Sequence, residues 1–398
     1  MNNEKRILTL TAGSHNLVHL FEGILPPLIP LLLVQFQTDY FHLGLAVSVF
    51  SIAFGAGAFP AGMISDRMPP LQLIRLFLIG AGITSMLIAL IPTYAVFVIL
   101  VGISGLLCSI YHPASNTLIS HTIALKGRAF GIHGIAGSLG VALAPGLSAW
   151  LAAISSWRLP YIIYGILGLL LTAYSLTLHL SHTIHPPSSH PKATPSSPGI
   201  DMVRLLLFYG SAACLGLTYR GITTFLPVYI GLRVDMASGF TNAVTWGGTM
   251  ATAALLFGAL GQYIGGRLVD RISPEWMYLI SIAAGVLAVI GLSIGTNLTI
   301  IVSAILYAFF YFATQPIQNY MLSRYLPDHR HGIGYGIHFC LTFGVGAVAA
   351  AVSGYLADRF GLQSVFFFMT GCFLISLLFS ILLQLRVQKM SRLFPPDF

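Results

Sequence analysis

The chain has 398 residues, of which 56% are hydrophobic and only 8% charged, with 19 Lys and Arg against 11 Asp and Glu for a net charge of +8. Soluble domains carry about a quarter charged residues, so this composition excludes a soluble fold and points to a polytopic membrane protein. The basic residues are scattered one or two per loop, without the stripe of basic and aromatic residues that would mark a nucleic-acid partner.

The start, MNNEKRILTLTAG, is basic but lacks a short apolar core ending in A-x-A, so it reads as the approach to a first membrane helix, not a cleaved signal. Apolar stretches long enough to span follow near 10–35, 43–65, 71–91, 95–120, 129–153 and 159–180, then 203–230, 241–268, 275–295, 298–323, 333–356 and 363–386. The expected architecture is an all-α membrane protein of about twelve helices. It divides into a six-helix bundle over 1–180, a cytoplasmic linker over 181–200 and a second six-helix bundle over 201–398. The linker is rich in Pro and Ser and carries His182, His185 and His190; its composition fits a flexible tether.

The first span contains HNLVHLFEGILPP, with His15, His19 and Glu22 inside hydrocarbon-spanning sequence. An ionisable group there costs at least about 3 kcal/mol, so it needs a function or a partner. Spacings of four and three put all three on one helix face within roughly 60°. Glu22 is the one acid deep inside a span, and a buried carboxylate flanked by imidazoles is suited to carrying a proton between compartments. His15, His19 and Glu22 are the candidate proton-coupling residues. The other readings are a carboxylate locked to a base in the second half, and an H-x-x-x-H-x-x-E metal set. No Asp, Glu or Cys within another span completes a metal shell, so no metal site and no cofactor are expected.

The fourth span holds Tyr111, His112 and Asn116 beside Pro113, and the tenth holds Gln315 and Asn319 beside Pro316. Each set follows a helical face next to a kink and could line a polar cavity or bond between helices. Arg220, in the seventh span, is the one base deep inside a span; always charged, it must pair with Glu22 or with an anion on the substrate. Arg220, His112, Asn116, Gln315, Asn319 and Tyr111 are therefore the candidate substrate contacts. His133 and His338 open the fifth and eleventh spans and read as solvated. The small residues Gly134, Gly137, Gly140, Ala144 and Gly146 give the fifth span a face for tight helix packing. Spans 3, 6, 9 and 12 carry little beyond Thr, Ser and Tyr and can face lipid. The cysteines, Cys108, Cys214, Cys340 and Cys372, have neither disulfide nor zinc spacing and read as buried small hydrophobes.

Most basic residues, Lys5, Arg6, Arg67, Arg75, Lys126 and Arg128 among them, fall on the side of the termini, and only Arg158, Arg233 and Arg359 fall on the other. The positive-inside bias places both termini in the cytoplasm.

The halves repeat at offsets of about 198 to 205 residues. EGI at Glu22–Ile24 answers to RGI at Arg220–Ile222, and GMISDR at Gly62–Arg67 to GRLVDR at Gly266–Arg271. HPASN at His112–Asn116 answers to QPIQN at Gln315–Asn319, and FGIH at Phe130–His133 to YGIH at Tyr335–His338.

The G-x-x-x-D-R turns after spans 2 and 8 resemble the signature loop of the major facilitator superfamily. SHNLVHLFEGILPPLIPLL, YHPASNTLIS and GRAFGIHGIAGSLG resemble the bacterial branch that includes the fosmidomycin-resistance proteins. The chain departs from the signature where MPPLQL (Met68–Leu73) replaces Gly and basic residues, and it lacks the span-4 arginine of many drug–proton antiporters. The resemblance implies two pseudo-symmetric bundles working by alternating access, and no enzyme activity. It also implies a cytoplasmic gate around Gly62, Asp66, Arg67, Gly266, Asp270, Arg271 and Arg128. The expected function is a proton-coupled secondary transporter of the bacterial inner membrane, acting as a monomer. It would export a small anionic or amphiphilic compound, an antibiotic among the options, by proton antiport. The alternative is a proton symporter importing an organic acid or a metal chelate. Phosphonates of the fosmidomycin kind would suit a guanidinium such as Arg220.

Overall fold

The computed structural model describes residues 3–65, 67–178, 200–327 and 330–393. The linker histidines, His182, His185 and His190, and the gate residue Asp66 lie outside the described residues; Arg128 is described and exposed.

Among the described residues, twelve helices are long and apolar enough to cross a membrane: α1 Asn3–Phe36, α2 Tyr40–Ser65, α3 Pro70–Ile88, α4 Tyr94–Thr122, α5 Arg128–Ile154, α6 Arg158–Leu176, α7 Met202–Arg233, α8 Ala243–Leu268, α9 Pro274–Ile294, α10 Leu298–Tyr325, α11 Ile333–Phe360 and α12 Gln363–Met390. No strand occurs among the described residues, and each helix satisfies its own backbone hydrogen bonds, as a segment in lipid must.

Among the described residues, α1, α4 and α11 are interrupted. α1 breaks after Gly23, where Pro26 and Pro27 follow, and α4 breaks at Ile110, three residues before Pro113. α11 passes through a π-helical stretch at Cys340–Val345. That stretch lies against α7, where any side chain on Gly216 would strike the Thr342 carbonyl. Such π turns are frequent at functional positions in long helices.

Helices α3, α6, α9 and α12 turn apolar stripes outward. On α3 the exposed residues Leu76, Ile79, Ile83 and Leu87 recur every three or four positions, and Leu374, Leu378, Leu382 and Leu385 do so on α12. These outer helices also carry polar anchors. Arg75 of α3 donates to the carbonyl oxygens of Ser175 and Leu178, and Arg6 to that of Thr177, so two arginines satisfy the carbonyls at the end of α6. Glu275, in the first turn of α9, is buried and accepts from Tyr325 Oη. The expectation that these spans held little beyond Thr, Ser and Tyr missed both, because each charge sits at a helix terminus that favours its sign.

In the second half, Asp201 caps α7 by accepting from the Arg204 N–H and takes two bonds from Arg386 of α12. Burial pushes its carboxyl up, but the bonds from Arg386 and Arg204 and their charges outweigh this and hold it below the usual range. A carboxyl depressed on folding stabilises above its unfolded pKa and loses that contribution as pH falls through the lower folded value. Asp201→Ala is expected to lower the thermal midpoint by the equivalent of about 1 kcal/mol at neutral pH. The difference from wild type should shrink on acidification.

The cysteines divide: Cys108 and Cys372 are buried, Cys214 is partly so, and Cys340 is exposed, contrary to the expected burial. Cys340 opens the π stretch, which rotates the helix face.

Candidate functional site

The first turn of α1, the last turn of α12 and the C-terminal ends of α2, α4, α6, α8 and α10 share one end of the bundles, termed here the tail end. The turns after α1, α5, α7 and α11 share the other, the far end.

Glu22 and Arg220 meet near the middle of their helices, joining the first bundle to the second. Arg220 Nη2 donates to Glu22 Oε1, and His19 Nδ1 lies 2.8 Å from Glu22 Oε2. Glu22 is 9% and Arg220 5% exposed, so both charges are desolvated and satisfy each other. The pair lines a cavity shared by both bundles, with His19 and Pro145 from the first, and Tyr219 and Thr223 from the second.

Two unlike walls flank the pair. On the Glu22 side, His15 stacks on His133 with ring centroids 4.0 Å apart and lies 5.1 Å from both His19 and His112. His15 Nδ1 is 2.6 Å from the His133 carbonyl oxygen. Tyr111 is fully buried; its hydroxyl donates to the Thr11 carbonyl and lies 2.9 Å from His133 Nε2. On the Arg220 side, Tyr219 stacks on Tyr311, which neighbours Tyr307, and the guanidinium lies 5.7 Å from the Tyr219 ring.

The small-residue face of α5 makes this arrangement possible. A Cβ on Gly137 would strike the His15 ring, one on Gly140 the Asn16 carbonyl, and one on Gly23 would meet Ala144. Gly146 instead faces α8, where its N–H donates to Thr252 Oγ1 at 2.8 Å.

Several expected residues are exposed or make other contacts. Asn116 and Asn319 are exposed, and the Asn319 carbonyl accepts from Tyr335 Oη. Gln315 accepts from Gln262, which accepts from Ser138 of α5 at 2.8 Å, so it joins a polar chain between bundles instead of the Arg220 wall. His133 is 5% exposed and not solvated as its place at the start of α5 implied. His133 lies on the face of α5 that packs on α1, with its ring against His15, while its neighbours Gly131, Ile132 and Ile135 stay exposed. Tyr219, Tyr311 and Gln262 were not singled out; an aromatic or amide next to a lone charge in a span is the signal that marks them.

The far end is sealed between the bundles. Asp358 of α11 accepts from the backbone N–H groups of Tyr40 and Phe41 at 3.0 and 2.8 Å, capping α2 from the opposite bundle. Asp39 completes that cap by accepting from the His42 N–H. Ser48 Oγ donates to the Ala347 carbonyl, and Trp150 Nε1 to Thr249 Oγ1. Asp358 also went unmarked in the sequence, although it precedes Arg359 as Asp66 precedes Arg67. At the tail end the packing gives way: around Gly62, Gly131, Gly134 and Gly336 an added Cβ would meet nothing within 4 Å. Arg67, Asp270 and Arg271 are exposed there, and Gly266 contacts Pro316 of its own bundle. The cleft thus opens at the tail end.

The sequence matches the Major Facilitator Superfamily over residues 11–247 and 234–396. It is 24% identical to the fosmidomycin resistance protein of Escherichia coli over 380 residues, covering 90% of this chain and 88% of that protein. It is 24% identical over 243 residues to a probable L-galactonate transporter of the same organism, of whose length the chain spans about half, 53%. Its fold overlays on a bacterial homologue of the human lysosomal transporter Spinster, solved in an inward-facing and occupied conformation. The TM-score is 0.81 at 14% identity, with 96% of this chain and 97% of that one covered. Two six-helix bundles that meet at one end and part at the other are the architecture of transporters, not enzymes. With its sequence matched along nearly its whole length, this multi-pass membrane protein belongs to the Major Facilitator Superfamily.

Proposed function

We propose that the chain is a proton-coupled exporter of a small anionic or amphiphilic compound, with Glu22 as the proton carrier and Arg220 as the substrate anchor. The observation that carries this reading is the ion pair between Glu22 and Arg220 across the two bundles, with His19 on the second carboxylate oxygen. A proton on Glu22 removes the charge that holds Arg220. For export, the chain crosses inward with Glu22 protonated and the guanidinium empty, and outward with an anion on the guanidinium and the unprotonated carboxylate held by His19, so proton and substrate occupy the site in alternation. His15 and His19 supply a route for the proton along one helix face. His112, Tyr111, Tyr219 and Thr223 shape the cavity, while Gln315 acts with Gln262 and Ser138 between bundles. The fosmidomycin resistance relative, aligned along most of both chains, supports efflux.

In this reading the tail end faces the cytoplasm, as the basic residues there favour. The linker of residues 181–200 joins the bundles on that side. Gly62, Asp66, Arg67, Arg128, Gly266, Asp270 and Arg271 close the cleft in the opposite state, and Asp358 with Gly44 seals the far end in this one. The protein works as a monomer in the bacterial inner membrane.

Purified protein in vesicles under an imposed pH difference tests the assignment. Glu22→Gln is expected to abolish pH-driven accumulation while leaving exchange between equal substrate pools. Full pH-driven accumulation by Glu22→Gln would remove Glu22 from the mechanism. The L-galactonate relative favours a second reading, proton-coupled import of an organic acid. In the same vesicles that reading predicts substrate moving with the proton instead of against it.

A further inference from the structure

A proton route needs His15 and His19, but it leaves the convergence of four imidazoles on one wall unused. His15, His19 and His112 each offer a ring nitrogen, and these nitrogens lie within 4.8 Å of one another. His112 comes from α4, so a third donor meets the two that the spacing in α1 already paired.

Hydrogen bonds fix which nitrogens are free. The His133 carbonyl can only accept, so His15 carries its proton on Nδ1 and, when neutral, exposes the Nε2 lone pair. The Glu22 carboxylate, held by Arg220, likewise accepts from His19 Nδ1 and frees His19 Nε2. Tyr111 gives its proton to the Thr11 carbonyl and so accepts from His133 Nε2; the His133 ring is spent on support. Among the described residues, the His112 ring makes aromatic contacts but no hydrogen bond. A ligating histidine that donates its other N–H to a carbonyl or a carboxylate is the arrangement that orients imidazoles toward a metal. His15 and His19 each have it.

Three imidazoles suit a divalent transition ion such as zinc, cobalt, nickel or copper, and not the oxygen-seeking calcium or magnesium. Metal–nitrogen bonds of about 2.0–2.1 Å place donors about 3.4 Å apart at tetrahedral angles and about 3.0 Å apart in a six-coordinate chelate complex, so binding draws the farthest pair of nitrogens in by up to about 1.8 Å. Charge decides the form in which the ion arrives. Glu22 and Arg220 already neutralise each other, so a bare divalent cation would bring two uncompensated charges into a desolvated cavity. An ion that carries its own carboxylate chelator avoids this cost, and a chelator carboxylate can reach the guanidinium on the opposite wall.

We infer that His15, His19 and His112 form a transition-metal site, and that the cargo is a metal complex of a small carboxylate chelator, with the metal on the histidine wall and a carboxylate on Arg220. The cargo half of this inference rests on the cavity being the translocation path; the metal site does not.

The test uses the full chain purified through a histidine-free tag and stripped of metal. Cobalt(II) iminodiacetate is the probe: its chelator is tridentate and doubly charged, which leaves three coordination positions and no net charge. One equivalent is expected to bind with a visible spectral change, and iminodiacetate alone is expected to bind at least tenfold more weakly. His112→Gln and His19→Gln should each weaken binding at least tenfold, and Gly137→Ala, which pushes on the His15 ring, should do the same without removing a ligand. A chain with His182, His185 and His190 all changed to serine should bind as wild type. Elution volume and thermal midpoint identify variants that fold. No binding by the wild type, or binding lost with the linker histidines and kept in folded His112→Gln, overturns the metal site. Binding of the complex unaffected by Arg220→Ala overturns the carboxylate contact. If the complex binds as expected but Glu22→Gln vesicles still accumulate it under a pH difference, proton coupling through Glu22 falls and the metal site stands.

Discussion

Arg220→Ala is expected to abolish transport and to destabilise the chain by about 3 kcal/mol, because it leaves the Glu22 carboxylate desolvated with His19 as its remaining partner. Removing one member of a buried ion pair costs more than the pair itself contributes, since the orphaned charge keeps its desolvation penalty. The loss is smaller than the ideal cost of a bare charge because Glu22 can take up a proton instead. Two further variants separate the electrostatic effect from the functional one. Arg220→Lys keeps the charge but loses the planar fork, so it should keep most of the stability and bind an anionic substrate more weakly. The double variant Glu22→Gln with Arg220→Gln removes both charges. It should regain most of the stability that either single change loses, while transport stays absent. Thermal midpoints together with vesicle transport check these three variants beside wild type and the single changes Glu22→Gln and Arg220→Gln. Additive losses in the double variant, or wild-type transport by Arg220→Ala, would show that the contact between bundles carries neither energy nor function.

Gly44→Val should hold the protein open at the far end. α2 and α11 approach there so closely that a Cβ on Gly44 runs into the Ala350 carbonyl, and one on Gly354 into that of Tyr40. The obstructing atoms are backbone, which cannot swing aside as a flexible side chain can. The penalty is therefore expected near the top of the overpacking range, about 3 kcal/mol. It applies only to the state in which these helices touch. A bias of that size shifts the balance between the two cleft-open states by about a hundredfold. Transport should fall accordingly while the fold persists. The check is labelling of single cysteines placed in α2 and α11: positions beside Gly44 should become reactive from the far side in Gly44→Val. Asp358→Ala should act in the same direction but more weakly, by about 1 kcal/mol, since it removes a solvent-exposed cap on α2 without adding a clash. Unchanged far-side reactivity in Gly44→Val would mean that the far-end packing does not gate access.

The charged residues that mattered most were legible because charge in a span is rare. Glu22 and Arg220 stood out as lone ions in apolar sequence, and the repeat of EGI with RGI put them at matching places in the two halves. The surrounding walls were less legible. Spacing in α1 aligned His15 with His19, but nothing in the chain order says that His112 and His133 turn toward them. Tyr219 and Tyr311 read as ordinary apolar bulk until they stack beside a guanidinium. Asn116 and Asn319 are exposed, which spacing along their helices does not fix.

What the sequence determined by itself was the solvent, the number of spans and the two-fold repeat. These follow from hydropathy and spacing along one chain, and each helix must satisfy its own backbone wherever it sits. What only the tertiary structure decided was which side chains converge, and at which end the bundles part. Both depend on the rotation of each helix about its axis and on close approaches between residues hundreds of positions apart. A glycine such as Gly137 or Gly44 carries no sign, along the chain, of the ring or carbonyl that it admits.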